Sequence, residues 1–403
     1  MELFRATNFD FLGRKWPFII ASLVLTAAGL GSLLVKGGPR YGIDFKGGTM
    51  TTVKFAQSPP MNRIRSVIDQ KLGSGASVQS FVGGTNEVSI GTEGADSNTR
   101  ARVMSALEGA FGQPANGKLD LNNASSSDIA NRLRAPLQSA NVFLGEDQLT
   151  KLANDIRQFR DAPPRSGLIT DYNQLSSVPG MTPQILNVIR DQFSLSPFTL
   201  RSSDFVGPKV GADLRRQAVV ATLCALGGML IYIAFRFEWI YGLGAVIAVF
   251  HDTIITIGVF SLLNKEIDLT VIAALLTLVG YSMNDTIVIF DRIRENLRLG
   301  SGRRESLEGV INRSVNQTLS RTVMTSGLTF LTVLALFLFG GPVLHGFSLA
   351  LVIGIIVGTY SSVFVASPIV LAWQNWADKR RKNSPGSPVA VRNRPVAGAR
   401  GAR

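Results

Sequence analysis

LTVIAALLTLVGYSMNDTIVIFDRIRENLRL, residues 269–299, decides the fold. It opens as an apolar run long enough to cross a bilayer. It carries Asn284 and Asp285 inside that run, and it leaves through the charged segment Asp291-Arg292-Ile293-Arg294-Glu295. An ionisable side chain at membrane depth costs at least about 2.5 kcal/mol. Such a residue persists only when it is paired, hydrated or useful. The rest of the chain supplies partners for Asp285 and a polar head on the far side of the membrane.

Outward from this stretch the apolar runs repeat. Residues 17–35 form a first span, longer than the core of a secretory leader and without a small-x-small cleavage pattern, so it reads as a retained helix. Further spans follow at 218–235, 240–263, 269–290, 322–339 and 346–373. With residues 1–16 cytoplasmic, six spans put both termini, the basic amphipathic loop 291–321 and the basic tail 374–403 on the cytoplasmic side, as the distribution of Lys and Arg requires. The tail is rich in Pro, Gly and Ala, has no periodicity and reads as disordered. Arg215 and Arg216, at the opposite membrane surface, run against that rule locally. The net charge of +13 therefore reflects topology rather than a nucleic-acid partner. The single cysteine, Cys224, excludes a disulfide framework within the chain.

Residues 36–217 contain no spanning run. Alternation at Met50–Phe55, helical spacing at Asn62–Leu72, a hairpin at Val78–Ile90 around Gly83-Gly84, a helix at Asn98–Phe111 and a strand at Phe198–Val206 give the order β-α-β-β-α-β. That order predicts a ferredoxin-like unit. Its last strand is displaced by a helical insertion over about 113–196. The insertion holds candidate helices at 125–138 and 145–161, and a helix-hairpin-helix-like element at 171–193 around Pro179-Gly180. Such a hairpin can bind a DNA backbone or simply pack. In a domain outside the membrane the packing role is expected. The fold class is a membrane α-helical protein, six transmembrane helices with an exterior α+β ferredoxin-like domain carrying a helical insertion.

Two clusters of polar groups lie inside the spans. Asp285 is about 8 Å from the cytoplasmic end of its helix. Arg321 opens the fifth span, so an ion pair is within reach if the two helices are neighbours. The alternative is that Arg321 snorkels to headgroups. The polar context 316–322 favours a wet interior face. His251-Asp252 falls near the bilayer midplane and can form either a proton relay with Asp285 or a static hydrogen-bonded contact. Ser282, Asn284 and Thr286 are placed to line the same path, and His345 reads as a surface loop residue. The chain offers no metal-ligand cluster, no phosphate-binding glycine loop and no catalytic nucleophile, so no cofactor and no enzymatic activity are expected.

The segments Tyr41-Gly42-Ile43-Asp44-Phe45-Lys46-Gly47-Gly48-Thr49, Asp204–Gly211, Phe235–Trp239, His251-Asp252-Thr253, Gly280–Thr286, Asp291–Asn296, Gln317–Thr322 and Phe339–Leu344 bracket nearly the whole chain. In this order they resemble the SecF family of protein-export membrane proteins, of the SecD/SecF pair that assists the bacterial Sec translocon. The insertion at 113–196 departs from the family, whose heads are usually smaller. The resemblance implies a resistance-nodulation-division type bundle and an inner-membrane location. It implies SecD as partner, SecYEG and unfolded preprotein as further partners, SecA as an indirect one, and membrane lipids around the bundle. It also implies use of the proton-motive force in late steps of translocation. The family's proton-passage residues fall on Asp285 and Arg321, with Asp252 in its His-Asp segment. Two other classes compete: a passive scaffold holding SecD at the channel, and a proton-driven efflux or lipid transporter of the same superfamily.

Overall fold

The computed structural model describes residues 7–73, 76–80, 86–93, 97–112, 117–236, 239–299 and 306–382. The expected hairpin turn at Gly83-Gly84 and the tail beyond Lys382 lie outside the described residues. Among the described residues, six helices are long and apolar enough to cross a membrane. They are α1 (Lys15–Val35), α8 (Pro208–Arg236), α9 (Trp239–Leu262), α10 (Leu269–Arg298), α11 (Leu307–Phe339), and α12 (Gly341–Ser361) continued by α13 (Ser367–Lys382).

Several helices run past the expected spans. α8 begins ten residues before 218, and α10 and α11 carry on through most of the segment read as a loop over 291–321. Helix formation needs only compatible residues, not lipid, and these extensions contain no proline interior to the helix. At 30 residues α10 is about 45 Å long, half as long again as a hydrocarbon core of about 30 Å. The part of the tail from 374 to 382 is likewise helical rather than disordered.

The head is a four-stranded antiparallel sheet of β1 (Gly48–Phe55), β2 (Ser77–Ser80), β3 (Glu87–Thr92) and β6 (Phe198–Val206), in the order β2-β3-β1-β6. This is the ferredoxin-like arrangement. α3 (Met61–Leu72) and α4 (Ser97–Phe111) cover one face. Val53, Ile64, Ile68, Val88, Ile90, Val103, Leu107 and Phe198 form the core between sheet and helices. The other face is polar. Thr52, Gln79, Ser89, Ser202 and Asp204 look across a cleft of about 270 Å³ onto Lys265, Asp268 and His345 of the bundle.

Between α4 and β6 sits the insertion, with its own core around Leu121, Ile129, Leu133, Ile156, Ile189 and Phe193. It comprises α5 (Ser126–Ser139), α6 (Glu146–Asp161), α7 (Pro183–Gln192) and the short parallel pair β4 (Leu119–Asp120) and β5 (Phe193–Ser194). Before α7 the chain makes a 3₁₀ turn over Tyr172–Ser177 in place of a full first helix of a hairpin motif. Its Leu175 and Val178 are buried in the insertion core, which gives this element a packing role.

Head and bundle meet at α2 (Ile43–Lys46), a single turn. Phe45 plugs into the bundle beside Ala218, Ile267 and Val271. The Asp44 carboxylate accepts a hydrogen bond from the backbone N–H of Leu269, the first residue of α10, at 2.9 Å. Beside it, Gly42 N–H donates to Ile267 O (2.9 Å) and Ile267 N–H to Arg40 O (2.7 Å). Gly47, with φ +76°, lies so close to Pro208 that a Cβ would sit 2.8 Å from its Cα.

Candidate functional site

α1 and α9 run side by side with one constant offset in sequence. Ser22 meets His251, Gly29 meets Gly258, and Ser32 meets Ser261. A Cβ on Gly29 would fall 2.7 Å from the Gly258 Cα, so the glycine pair sets the close approach of the two backbones. That approach brings the Ser22 hydroxyl onto His251 Nε2. The other ring nitrogen, Nδ1, bonds Asp252 Oδ1 at 2.8 Å. The second carboxylate oxygen, Oδ2, accepts from Ser282 Oγ of α10 (2.6 Å) and Ser361 Oγ of α12 (2.8 Å). Asp252 is 1 % exposed, so four helices are tied through one buried carboxylate.

Asp285 is also buried, three residues beyond Ser282 on α10. Its Oδ2 accepts from Ser326 Oγ of α11 at 2.8 Å. Next to it on α10, Thr286 Oγ1 donates to Ser282 O (3.1 Å) and lies 3.0 Å from Ser362 Oγ. Ser362 opens a π-helical turn, Ser362–Ala366, inside the last span. Such turns break the regular ladder and cluster at functional sites. Here the turn stands against the stretch of α10 that holds Ser282, Asp285 and Thr286.

Of the two roles open to Arg321, the ion pair with Asp285 is not formed. Arg321 is exposed on α11, outside salt-bridge distance, and acts on Asp285 only through space. The stripe of α11 buried against its neighbours is Ser314, Thr318, Thr322 and Ser326, and Arg321 lies off it. Asn284 is exposed too and does not join the buried network. The polar segment 316–322 builds a clasp more than a wet face. Asn312 and Asn316 hold the backbone of residues 9–12, and Gln317 accepts from Arg292 Nε at 2.7 Å and Asn296 Nδ2 at 2.9 Å. His345 is buried, not at the surface; it lies within α12, its ring stacked on Phe337.

Ser22, Ser326 and Ser361 escaped the sequence reading. Each is a serine in an apolar helix, a common residue there, because its hydroxyl can bond the carbonyl one turn back. No spacing distinguishes the ones that face a carboxylate.

The arrangement defines a class: a multi-pass membrane protein whose bundle carries two buried carboxylates, joined to a ferredoxin-like head through the strap of residues 40–47. Two family descriptions match it: "Protein export membrane protein SecD/SecF, C-terminal" over residues 188–376, and "SecD/SecF GG Motif" over residues 32–59. The chain is 48 % identical to the protein translocase subunit SecF of Koribacter versatilis over 98 % of both chains. It is 35 % identical to that of Rhodothermus marinus over 95 % of this chain and 98 % of the other. A crystal structure of SecDF, described as a translocon-associated membrane protein, from Thermus thermophilus superposes with a TM-score of 0.63 at 33 % identity. The match takes in 92 % of this chain and 39 % of that longer one, so the chain spans about two fifths of SecDF. The chain belongs to the SecF family of protein translocase subunits.

Proposed function

We propose that this subunit acts with SecD to convert the proton-motive force into late-stage movement of unfolded preprotein at the SecYEG channel, after SecA has acted. In this reading it sits in the inner membrane with both termini cytoplasmic and the head outside. The basic stretches before α1 and between α10 and α11 support that orientation. The observation that carries the reading is the pair of buried carboxylates on adjacent helices, each held by hydroxyls from other helices. Lipid-facing packing does not require such groups, and ionisable residues inside a bundle mark ion paths.

The proposed step is local. A proton reaching Asp285 removes its charge, weakens the hold of Ser326 Oγ and ends the attraction of Arg321. Ser282 connects the same helix to Asp252, with His251 as its neighbour on the α1 side. α10 then shifts between two settings, and the strap at Asp44 carries the shift to the head. One charge moved fully through 100 mV is worth about 2.3 kcal/mol, enough to change a two-state ratio about fiftyfold. No covalent chemistry is involved.

Asp252 itself favours a second reading for its own half of the site. Its oxygens are fully engaged, as in a static brace, and a scaffold needs nothing more. Export of a reporter preprotein in vesicles, with and without an imposed proton gradient, separates the two. With SecD present and expression matched, Asp285→Asn is expected to abolish the gradient's benefit. Survival of that benefit overturns the motor reading and leaves the scaffold.

A further inference from the structure

α8 stands away from the bundle along most of its length. The gap between α8, α9 and α10 is a groove of about 620 Å³, open to the side. Its walls are apolar. Arg215 stands at the head end, with Tyr41 and Phe45. At the other end α8 closes onto α9, where a Cβ on Gly242 would be 3.0 Å from Ile233. From Arg215 to Leu230 the slot runs 15 residues of helix, about 22 Å. One leaflet of the hydrocarbon core is about 15 Å deep. Val219, Leu223 and Phe250 are more than half exposed along this slot.

We infer that the groove is a binding site for one acyl chain of an anionic phospholipid, with the headgroup phosphate on Arg215. Three observations on the molecule favour this occupant. The first is charge. Arg215 lies at the start of the apolar part of α8 with Arg216 beside it, both exposed. They run against the positive-inside pattern, and a phosphate provides the bidentate acceptor that a guanidinium fits. The second is size. The slot's length of about 22 Å takes an acyl chain from the membrane surface through one leaflet about 15 Å deep. The third is shape: a slot closed at its deep end and charged at its shallow end matches a single chain hanging from a headgroup. The site is independent of the proton step and of Asp285.

Two glycines make the test clean. Gly227 lines the groove, and a Cβ there would meet nothing within 4 Å; Gly228 is equally open but is not among the lining residues. The full chain is purified from nanodiscs of phosphatidylglycerol and phosphatidylcholine, alone and with SecD. Retained lipid is then counted by native mass spectrometry. The parent is expected to retain phosphatidylglycerol at least about fivefold over phosphatidylcholine, the preference one arginine near the surface supports. Arg215→Ala is expected to bring that ratio to about one. Gly227→Phe is expected to remove the retained lipid of both headgroups, whereas Gly228→Phe keeps it. Equal retention by the two phenylalanine variants, or no headgroup preference in the parent, overturns the inference. Loss of the lipid whenever SecD is present also overturns it, and assigns the groove to a protein contact.

Discussion

Ser326 and Arg321 stand five residues apart on α11, which is about 140° around a helix of 3.6 residues per turn. Both therefore cannot face Asp285 in one setting of the helix. The structure puts Ser326 on the carboxylate and leaves Arg321 outside. Exchanging the two as partners takes a rotation of α11 by about that 140°, or a swing of the long Arg321 side chain around the helix. Ser326→Ala is expected to weaken the gradient's effect on export severalfold, since the loss of a charge-assisted hydrogen bond is worth roughly 1.5 kcal/mol or more. Thr325→Ala, which removes a hydroxyl bonded only to its own helix, is the control and is expected to leave the effect intact. Equal effects of the two variants, read in the same vesicle assay, would remove Ser326 from the path. At this scale the carboxylates were legible because Asp within an apolar run is rare and expensive. Their partners were not legible, since helix rotation decides which of several polar neighbours faces inward, and one sequence does not fix rotation.

Helix α10 is the element on which the others converge. α12 packs so closely on it that a Cβ on Gly354 would lie 2.5 Å from the Leu278 side chain, and one on Gly358 would lie 3.0 Å from Ser282. Gly354→Ala is expected to destabilise the bundle by about 1–3 kcal/mol through overpacking. Gly280→Ala on the open side of α10, where nothing lies within 4 Å, is expected to be neutral or slightly stabilising. Thermal unfolding in detergent compares them. At its head end α10 is capped twice, by Asp268 on Val271 N–H (2.8 Å) and by Asp44 from the strap. An N-cap by Asp is worth about 1 kcal/mol, and only the second comes from the head. We expect Asp44→Ala to keep the fold but to abolish any gradient-driven change in the distance between a label on the head and one on α10. Asp44→Asn, which still accepts the hydrogen bond, is expected to restore it. Spin-label distances read this directly; a preserved change in Asp44→Ala would assign the cap to stability alone. The six apolar helices were evident from hydropathy, but their true lengths were not. The polar extensions of α8, α10 and α11 look like loops to a hydropathy window and are helices by propensity. His345 was misplaced for a related reason: Gly340-Gly341-Pro342 ends one helix and starts the next, so the turn is shorter than the expected 340–345.

Across the whole molecule the insertion is a separate module. Its core contains no residue of the sheet core, and it is tied to β6 through Asn122 and Asn123, which bond Ser196 O, Phe198 O and the Leu200 N–H. Replacing residues 119–195 with a short Gly-Ser linker is expected to leave the sheet paired, because β6 meets β1 over its length. Differential scanning calorimetry should then lose one head transition and keep the other. Loss of both would make the insertion part of the head's own stability. The β-α-β-β-α-β order was readable despite this interruption, because each strand alternates and each helix keeps its stripe. What a second core does between strands was not readable, since packing modules and binding modules share the same periodicity.

The base of the head has a mechanical consequence. Gly48 at the start of β1 pairs with Val206 at the end of β6, and these ends lead to α1 through the strap and to α8 directly. Both tethers thus leave the sheet from the same end. A pull that spreads α1 from α8 loads this strand pair as a zipper, one rung at a time from Gly48·Val206 upward, with each rung bearing the whole force in turn. A pull that lifts the head as a unit instead spreads over the rungs together. The head is therefore compliant to motions of its own membrane helices and stiff to a pull on the head as a whole.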